Sequence, residues 1–218
     1  MTNPIEMEKK FRVNPADLAE FLKNKNFISN KTIVDEYLDT PEGLFYQEGI
    51  FIRVRNKKSL DIKFNPDHLG HKDSNDHTSC HEYNISMPFD PASAVVFVTL
   101  EKMIPIKCPA PYTYDAFLKI NNLESLLTLD KKRSTYEDDI FLIAVDEFAD
   151  FGTFLELEAK DNNISLEVFL DEIKKATQGM AIQEFNSGYV EIRLSEINHS
   201  LYLKGKYLID QNEKAVAA

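Results

Sequence analysis

The first charged pattern of the chain lies in "IEMEKKF", residues 5–11. Glu6, Glu8 and Lys10 stand at every second position, with apolar residues in the alternate set. Because side chains two residues apart on a β-strand point to one face, two carboxylates and an ammonium would project together. Carboxylates bind divalent cations and an ammonium binds phosphate, but for this segment alone a solvated strand face is the favoured explanation.

The same alternation recurs along six further strand-like segments. Their charged or polar positions are Arg53 and Arg55, Asp61 and Lys63, Glu82 and Asn84, Lys131 and Arg133, Asp146, and Glu156, Glu158 and Lys160. In most of these segments the intervening residues are apolar, so we expect helices to cover that face of a curved sheet. The charged faces would then line the inside of the sheet.

A dry interior holding so many charges would cost several kcal/mol for each unpaired ion. The inside must therefore be wet, internally paired, or filled by a ligand of matching charge. Acids and bases in similar numbers suit a polyanion that divalent cations bridge to the carboxylates. The alternative is that each charged face is simply solvated.

The elements that would position these residues form an α+β pattern. We predict strands near 4–13, 31–39, 49–56, 59–65, 79–87, 126–137, 139–148 and 153–160. We predict helices over 14–27, 91–103, 112–121, 165–179 and 186–209. Asn14 with Pro15 gives a cap and first turn to the first helix, and Ser165 with Gly179 bounds the most clearly periodic one.

Composition and net charge argue against several classes of protein. The chain has 218 residues and a formal net charge of −11, which argues against a general nucleic-acid or anionic-membrane surface. Its two cysteines, Cys80 and Cys108, form neither a disulfide framework nor a zinc pattern. With no long apolar run and no signal-peptide core, we expect a cytoplasmic monomer with a small-molecule ligand.

These motifs, taken in order, resemble the CYTH superfamily, also called the triphosphate tunnel metalloenzymes. "IEMEKKF" matches its ExExK signature, and "DEYLDTPEGLFYQEGIFIRVR", "LDIK", "HEY", "KKRS" and "VDEFADFGTFLELEA" follow in the family's order. The resemblance covers roughly residues 4–200. We therefore expect one domain over 1–200, followed by a C-terminal helix and frayed tail over 201–218.

The resemblance implies a closed, eight-stranded antiparallel β-barrel, with a charged lumen and helices outside. Members include thiamine triphosphatases, inorganic triphosphatases, fungal-type RNA triphosphatases and class IV adenylyl cyclases. The segments "DTPEG…RVR" and "ADFGTFLELEA" look most like thiamine triphosphatase. The expected reaction is metal-dependent release of orthophosphate from a triphosphate tail, with thiamine triphosphate as the expected substrate. The alternatives are an inorganic triphosphatase, a class IV adenylyl cyclase, or a non-catalytic polyphosphate- or nucleotide-binding module.

The resemblance also implies residue roles. Mg²⁺ or Mn²⁺ would be held by Glu6, Glu8, Asp146, Glu156 and Glu158. The triphosphate would be bound by Lys10, Arg53, Arg55, Lys63 and Arg133. Tyr37 and Lys63 would interact to activate water, unless Tyr37 only packs and Lys63 only neutralises charge.

One further candidate site residue follows only from the alternation of side chains along a strand. Phe51 shares a face with Arg53 and Arg55, so it would lie near one mouth of the lumen. An aromatic ring beside a triphosphate site can stack on an organic head group, and a cationic thiazolium would gain most. The alternative is that Phe51 only plugs the barrel end.

The chain departs from the family in two places. Relatives often carry a lysine where this chain has Asn186, Ser187 and Gly188, so that contact is either lost or supplied by Lys204 or Lys206. The family's "R.E.E" pattern is reduced to Glu82 and Asn84.

Residues 68–81 also contain a group of histidines and Cys80, which superficially resembles a zinc cluster. Its spacing fits no established finger, and we expect a solvated loop.

Overall fold

The computed structural model describes residues 7–69, 80–161, 164–185 and 187–208. The strands are β1 (Glu8–Val13), β2 (Asn26–Asp39), β3 (Phe51–Arg55), β4 (Ser59–Phe64), β5 (His81–Ser86), β6 (Glu124–Glu137), β7 (Phe141–Phe148), β8 (Gly152–Ala159) and β9 (Ile182–Phe185). The helices are α1 (Pro15–Leu22), α2 (Leu44–Gln47), α3 (Ser93–Leu100), α4 (Tyr114–Ile120), α5 (Leu166–Ala176), α6 (Tyr189–Ile197) and α7 (His199–Tyr202). Glu6 lies outside the described residues.

All the strands belong to one antiparallel sheet, in the order β5-β4-β3-β2-β6-β7-β8-β1-β9. The α+β class is confirmed. Within the described part of the chain there are nine strands rather than eight, and β5 and β9 form the two edges, so closure into a barrel is not confirmed. The additional strand, β9, is short and follows a helix, and periodicity did not reveal it.

The first helix is shorter than predicted. Asn14 caps it by accepting a hydrogen bond from the Ala16 amide, but α1 ends at Leu22 rather than near residue 27. The chain enters β2 at Asn26, because β2 pairs with β6 along almost its whole length. The inter-strand hydrogen bonds of this long pair outweigh the helical spacing of residues 23–27.

The outer face of the sheet is apolar, as predicted. Alternate residues of β3, β4 and β5 pack against α3 and α4, where Phe97 and Phe117 are fully buried. A second cluster joins β1, β7 and β8 to α1 and α5, around Phe141, Leu157 and Phe169. These two apolar clusters cover one face of the sheet, and the charged side chains lie on the opposite face.

The inner face is only partly charged. A third cluster combines inward residues of β6, β7, β8 and β9 with α6 and α7, and it includes Leu129, Phe148, Phe154 and Tyr202. The C-terminal helices therefore pack inside the curve of the sheet, whereas we expected helices only outside. The predicted helix over 186–209 is divided at Asn198, which ends α6 and caps α7 through the Leu201 amide.

No helix within the described ranges combines the length and the apolar character needed to span a bilayer.

Candidate active site

A cavity of about 510 Å³ opens on the inner face of the sheet. Residues from strands as distant in sheet order as β5 and β9 line it, so the sheet curves strongly around it. The predicted site residues that line this cavity are Glu8, Lys10, Tyr37, Phe51, Arg53, Arg55, Lys63, Arg133, Glu156 and Glu158. Asp146 is not in the lining, because it is fully buried behind the cations that contact it.

Two carboxylates meet on one wall of the cavity. Glu8 of β1 and Glu158 of β8 are direct register partners, and the next inward pair is Lys10 with Glu156. Like charges directly opposite each other destabilise a sheet unless something neutralises them. The Glu8–Glu158 pair is therefore suited to hold a divalent cation through hard oxygen donors.

Glu156 is already engaged by cations. Its Oε1 lies 3.3 Å from Lys10 Nζ, and its Oε2 accepts a hydrogen bond from Arg133. Burial would raise the pKa of Glu156, but Arg133, Lys10 and Lys131 outweigh it and hold that pKa well below its usual value. Glu156 is therefore ionised in the folded protein and links β1, β6 and β8 through its charge.

Asp146 has four donors around its two oxygens. Arg133 Nε lies 2.6 Å from Oδ1, and Arg133 Nη2 lies 2.5 Å from Oδ2. Lys131 Nζ at 2.6 Å and the Tyr189 hydroxyl at 3.0 Å also donate to Oδ2. Side-chain exposure is 0% for Asp146 and 3% for Lys131, so this group is a desolvated charge network.

Tyr189, the first residue of α6, was not predicted as a site residue. The centre of its ring lies 4.3 Å from Lys10 Nζ and 4.7 Å from Lys131 Nζ. Two ammonium groups therefore make cation–π contacts with one aromatic ring. Burial, with Glu156 and Asp146 nearby, raises the pKa of Tyr189 well above its usual value, so its hydroxyl stays protonated. In the sequence, the only indication was a single tyrosine near the start of a predicted helix, which does not identify a site residue.

The opposite wall carries the arginines of β3. Arg53 donates to Asp61 Oδ2 at 2.9 and 3.1 Å and to Glu82 at 3.2 Å. Arg55 makes a two-point contact with Asp35, at 2.8 and 2.9 Å. Both aspartates are 2% exposed, so each arginine is held by a buried carboxylate and keeps part of its guanidinium toward the cavity.

Tyr37 and Lys63 both line the cavity, but they are not cross-strand partners of each other. Tyr37 stands opposite Arg53, and Lys63 stands opposite Phe51 and Glu82. Burial raises the pKa of Tyr37, and a hydrogen bond with Arg53 partly opposes this rise. The predicted direct interaction between Tyr37 and Lys63 stays a prediction.

Glu191 is a second acid that the sequence did not reveal. It is fully buried in the third position of α6 and lines the cavity, and its carboxylate turns back toward the Gly188 amide at the helix start. Burial raises the pKa of Glu191 to about 7, although that amide and the charges of Lys10 and Lys63 act against the rise.

Phe51 lies in an aromatic contact group at one end of the cavity. Its ring is stacked on Tyr207 at 6.3 Å and meets Tyr46 edge-on at 6.4 Å. The Tyr207 hydroxyl lies 3.2 Å from His68 Nδ1. Phe51 therefore both lines the cavity, as parity predicted, and packs against the C-terminal segment.

Neither of the two proposed replacements for the missing late lysine lines the cavity in the described chain. Ser187 and Gly188 line the cavity, whereas Lys204 and Lys206 do not, and Lys206 lies beside Glu48 instead. Asn186 lies outside the described residues.

The histidine-containing segment is only partly described. His68 contacts Tyr207, and His81 stacks on Phe64 at 6.3 Å, whereas His71 and His77 lie outside the described residues. Among the residues that the structure describes, no three His, Cys, Asp or Glu side chains form a group able to hold a metal ion.

With this geometry established, a sequence model identifies the family. The model of the CYTH domain matches residues 4–188. The chain belongs to the CYTH family. A comparison with curated proteins gives no match.

Solved structures share the CYTH fold at low sequence identity. A conserved hypothetical protein from Pyrococcus furiosus is 19% identical, with a TM-score of 0.52 over 86% of this chain and 99% of that one. A proposed adenylate cyclase from Vibrio parahaemolyticus is 20% identical, with a TM-score of 0.55 over 88% and 99%. A proposed adenylyl cyclase from Hippeastrum with a dominant triphosphatase activity is 18% identical, with a TM-score of 0.50 over 87% and 94%. At these identities the likeness concerns the fold.

Proposed function

We propose that this CYTH-domain protein hydrolyses a triphosphate tail and releases orthophosphate, with Mg²⁺ or Mn²⁺ as the metal. One observation carries the proposal: a carboxylate pair and two groups of cations face each other across a single cavity. A polyphosphate bound between them would contact guanidinium and ammonium groups on both sides. Its remaining negative charge would be bridged to the carboxylates by the metal.

The cations have the chemistry that phosphoryl transfer requires. Arg53, Arg55 and Arg133 offer planar donor groups that match phosphate oxygens, and Lys10 adds a compact positive charge. Because the reaction depends mainly on positioning and on neutralising charge, no nucleophilic side chain is needed. The buried aspartates behind the arginines keep these groups in place before the substrate arrives.

Glu8 and Glu158 are the residues best suited to hold the metal, with Glu6 and Glu156 as further proposed ligands. Mg²⁺ commonly binds one or two carboxylates and takes its other ligands from phosphate and water, so a preformed cluster of three acids is not required. When bound, the ion would neutralise phosphate charge and orient water.

For water activation we propose Lys63, with Tyr37 lining the same cavity. The raised pKa of Tyr37 keeps its phenol protonated at neutral pH, so Tyr37 would act as a hydrogen-bond donor rather than as a base. Lys63 lines the same cavity as Lys10, Arg53 and Arg55, and a lysine among cations can lose its own proton; as the neutral amine it would accept the proton of the attacking water and become the ammonium.

Thiamine triphosphate is the substrate that we propose. Phe51 lies at one end of the cavity, where an organic head group attached to the triphosphate could stack on its ring. A thiazolium would gain cation–π attraction of about 0.5–2 kcal/mol, which bare tripolyphosphate lacks.

The fold's likeness to proposed cyclases favours one other candidate, conversion of ATP to cyclic AMP and pyrophosphate. The two reactions differ in their products. A non-catalytic polyphosphate-binding module would bind and release no product.

The deciding experiment is a substrate panel of thiamine triphosphate, tripolyphosphate and ATP, each with Mg²⁺ and with Mn²⁺. Orthophosphate and pyrophosphate are both measured, and the Glu158→Gln variant, purified in parallel, reports contaminating phosphatase. We expect orthophosphate from the wild type and background from the variant. Pyrophosphate with cyclic AMP would identify the cyclase, and binding without any product would contradict the enzyme proposal.

A further inference from the structure

Asp146 is enclosed by groups of this chain that donate to it. Three hydrogen bonds, from Lys131, Arg133 and Tyr189, reach its Oδ2, and one from Arg133 reaches its Oδ1. Its exposure is zero, and it lies outside the cavity lining. A metal could bind Asp146 only by displacing at least one buried cation, which would leave that cation uncompensated.

Tyr189 contacts the buried carboxylate of this group and lysines from two strands. Its hydroxyl donates to Asp146, while its ring lies under Lys10 of β1 and Lys131 of β6. Helix α6, on which it sits, packs inside the sheet through neighbouring apolar residues such as Val190 and Ile192. One side chain thus ties the position of α6 to cations on two different strands.

We propose that Tyr189 and Asp146 are positioning residues that hold Lys10, Lys131 and Arg133 in the phosphate-binding wall, and that Asp146 is not a ligand of the metal. This inference rests on the proposed triphosphate site and differs from the role that family resemblance gave Asp146. Its physical basis is that the arginine and lysine side chains are flexible, so a phosphate site requires fixed counter-groups.

The first arm of the test measures Mn²⁺ binding to the full chain, by calorimetry and by the electron paramagnetic resonance signal of free Mn²⁺. We expect Glu158→Gln to weaken Mn²⁺ binding by at least about tenfold, because it removes one of two opposed carboxylates. Asp146→Asn should change it by less than about threefold, through charge alone. Equal weakening in the two variants would overturn the proposal.

The second arm measures tripolyphosphate binding by calorimetry in EDTA, where only the cations contribute. Tyr189→Phe removes the hydroxyl but keeps the ring, so we expect weaker binding by about three- to tenfold, together with the lower melting temperature that loss of a buried hydrogen bond causes. The matched control is Tyr46→Phe, which removes another buried hydroxyl of the same apolar cluster, one that donates to the Tyr202 carbonyl at 3.3 Å. Equal effects, or none from Tyr189→Phe, would contradict the positioning role.

The two arms separate this inference from the proposed function. If the wild type releases no phosphate but binds tripolyphosphate in EDTA, and Tyr189→Phe alone weakens it, the enzyme proposal fails and the positioning role stands. If turnover is normal and Tyr189→Phe binds like the wild type, the positioning role fails. A wild type that binds neither Mn²⁺ nor tripolyphosphate would refute both. Should Asp146→Asn not fold, Tyr189→Phe still decides the positioning role, and Mn²⁺ binding is then tested with Asp146→Glu.

Discussion

Glu8 and Glu158 face each other in direct register across the β1–β8 pair, and both line the cavity. Two carboxylates held this way attract a divalent cation through their hard oxygen donors, so a bound metal should favour the folded sheet.

The metal should therefore stabilise the protein, and Glu158→Gln should abolish this effect. We expect Mn²⁺ to raise the melting temperature of the wild type but not of the variant. Without metal, the free energy of unfolding of Glu158→Gln should change by no more than about 1 kcal/mol, because the substitution keeps the side-chain volume and the cross-strand pairing. The control is Glu147→Gln, an exposed carboxylate on β7. A Mn²⁺ shift that survives in Glu158→Gln would refute this pair as the metal site.

Glu191 should make stability fall as the pH rises from about 4.5 to 7. The folded protein keeps the Glu191 proton up to a pKa of about 7, whereas the unfolded chain loses it near the ordinary glutamate value. The folded state thus binds more protons in this window, and the difference corresponds to about 3 kcal/mol above pH 7. Glu191→Gln keeps the helix-start contact and should remove the slope, becoming the more stable protein at pH 8.

Urea unfolding at half-unit steps from pH 5 to pH 8 measures this effect. Glu167→Gln, an exposed acid in the first turn of α5, is the control and should follow the wild type. Parallel curves for the wild type and Glu191→Gln across the whole range would show that Glu191 ionises normally.

Arg55 should contribute to stability as well as to binding. Arg55→Ala leaves Asp35, which is 2% exposed, with the longer 3.8 Å contact to Arg53 and the more distant charge of Lys131. We expect a loss of about 2 kcal/mol in the free energy of unfolding. Adding Asp35→Ala should recover much of this loss in urea unfolding, because the buried charge is gone.

Tripolyphosphate binding distinguishes the two roles of Arg55. The Arg55→Ala and Asp35→Ala double variant should remain weak in binding although its stability has recovered. If binding recovers together with stability, Arg55 acts only as the partner of Asp35.

The head-group proposal is tested with two variants of Phe51. Phe51→Ala should lower kcat/KM for thiamine triphosphate more than for tripolyphosphate, because only the first substrate has a ring to stack. Phe51→Leu keeps most of the packing against Tyr46 and Tyr207 but lacks the aromatic face, so it should show the same selectivity with less loss of stability. Equal losses on both substrates would assign Phe51 a packing role only.

Alternation along single strands predicted much of the site. Period-two parity put Arg53, Lys63 and Glu156 on the inner face, and the structure brings all three to one cavity. This succeeded because a residue that faces the core on one side of a strand fixes the direction of its neighbours. The apolar partners, such as Ile62 and Leu157, are fully buried on the other face.

The residues that sequence reasoning missed depend on contacts between distant elements. Asp35 was not predicted, and Asp61 was predicted only as a charged inward position; both become counter-ions of arginines through the register of β2, β3 and β4. Tyr189 and Glu191 enter the cavity because α6 packs inside the sheet, and helical periodicity does not show which surface a helix covers. Strand β9 is too short for alternation to identify it, and its place is fixed by pairing with β1.

The position of β1 between β8 and β9 has a consequence for how the protein is made. β1 is synthesised before the other strands, yet its partners are the last two, so most of the chain must leave the ribosome before either can pair with it. Such long-range pairing is slow, because the loop must close before contacts compensate its entropy. Until then β1 has two open edges, which exposes the growing chain to aggregation at this strand. Changes in its apolar residues should therefore reduce the yield of folded protein during synthesis more than they reduce the activity of the molecules that mature.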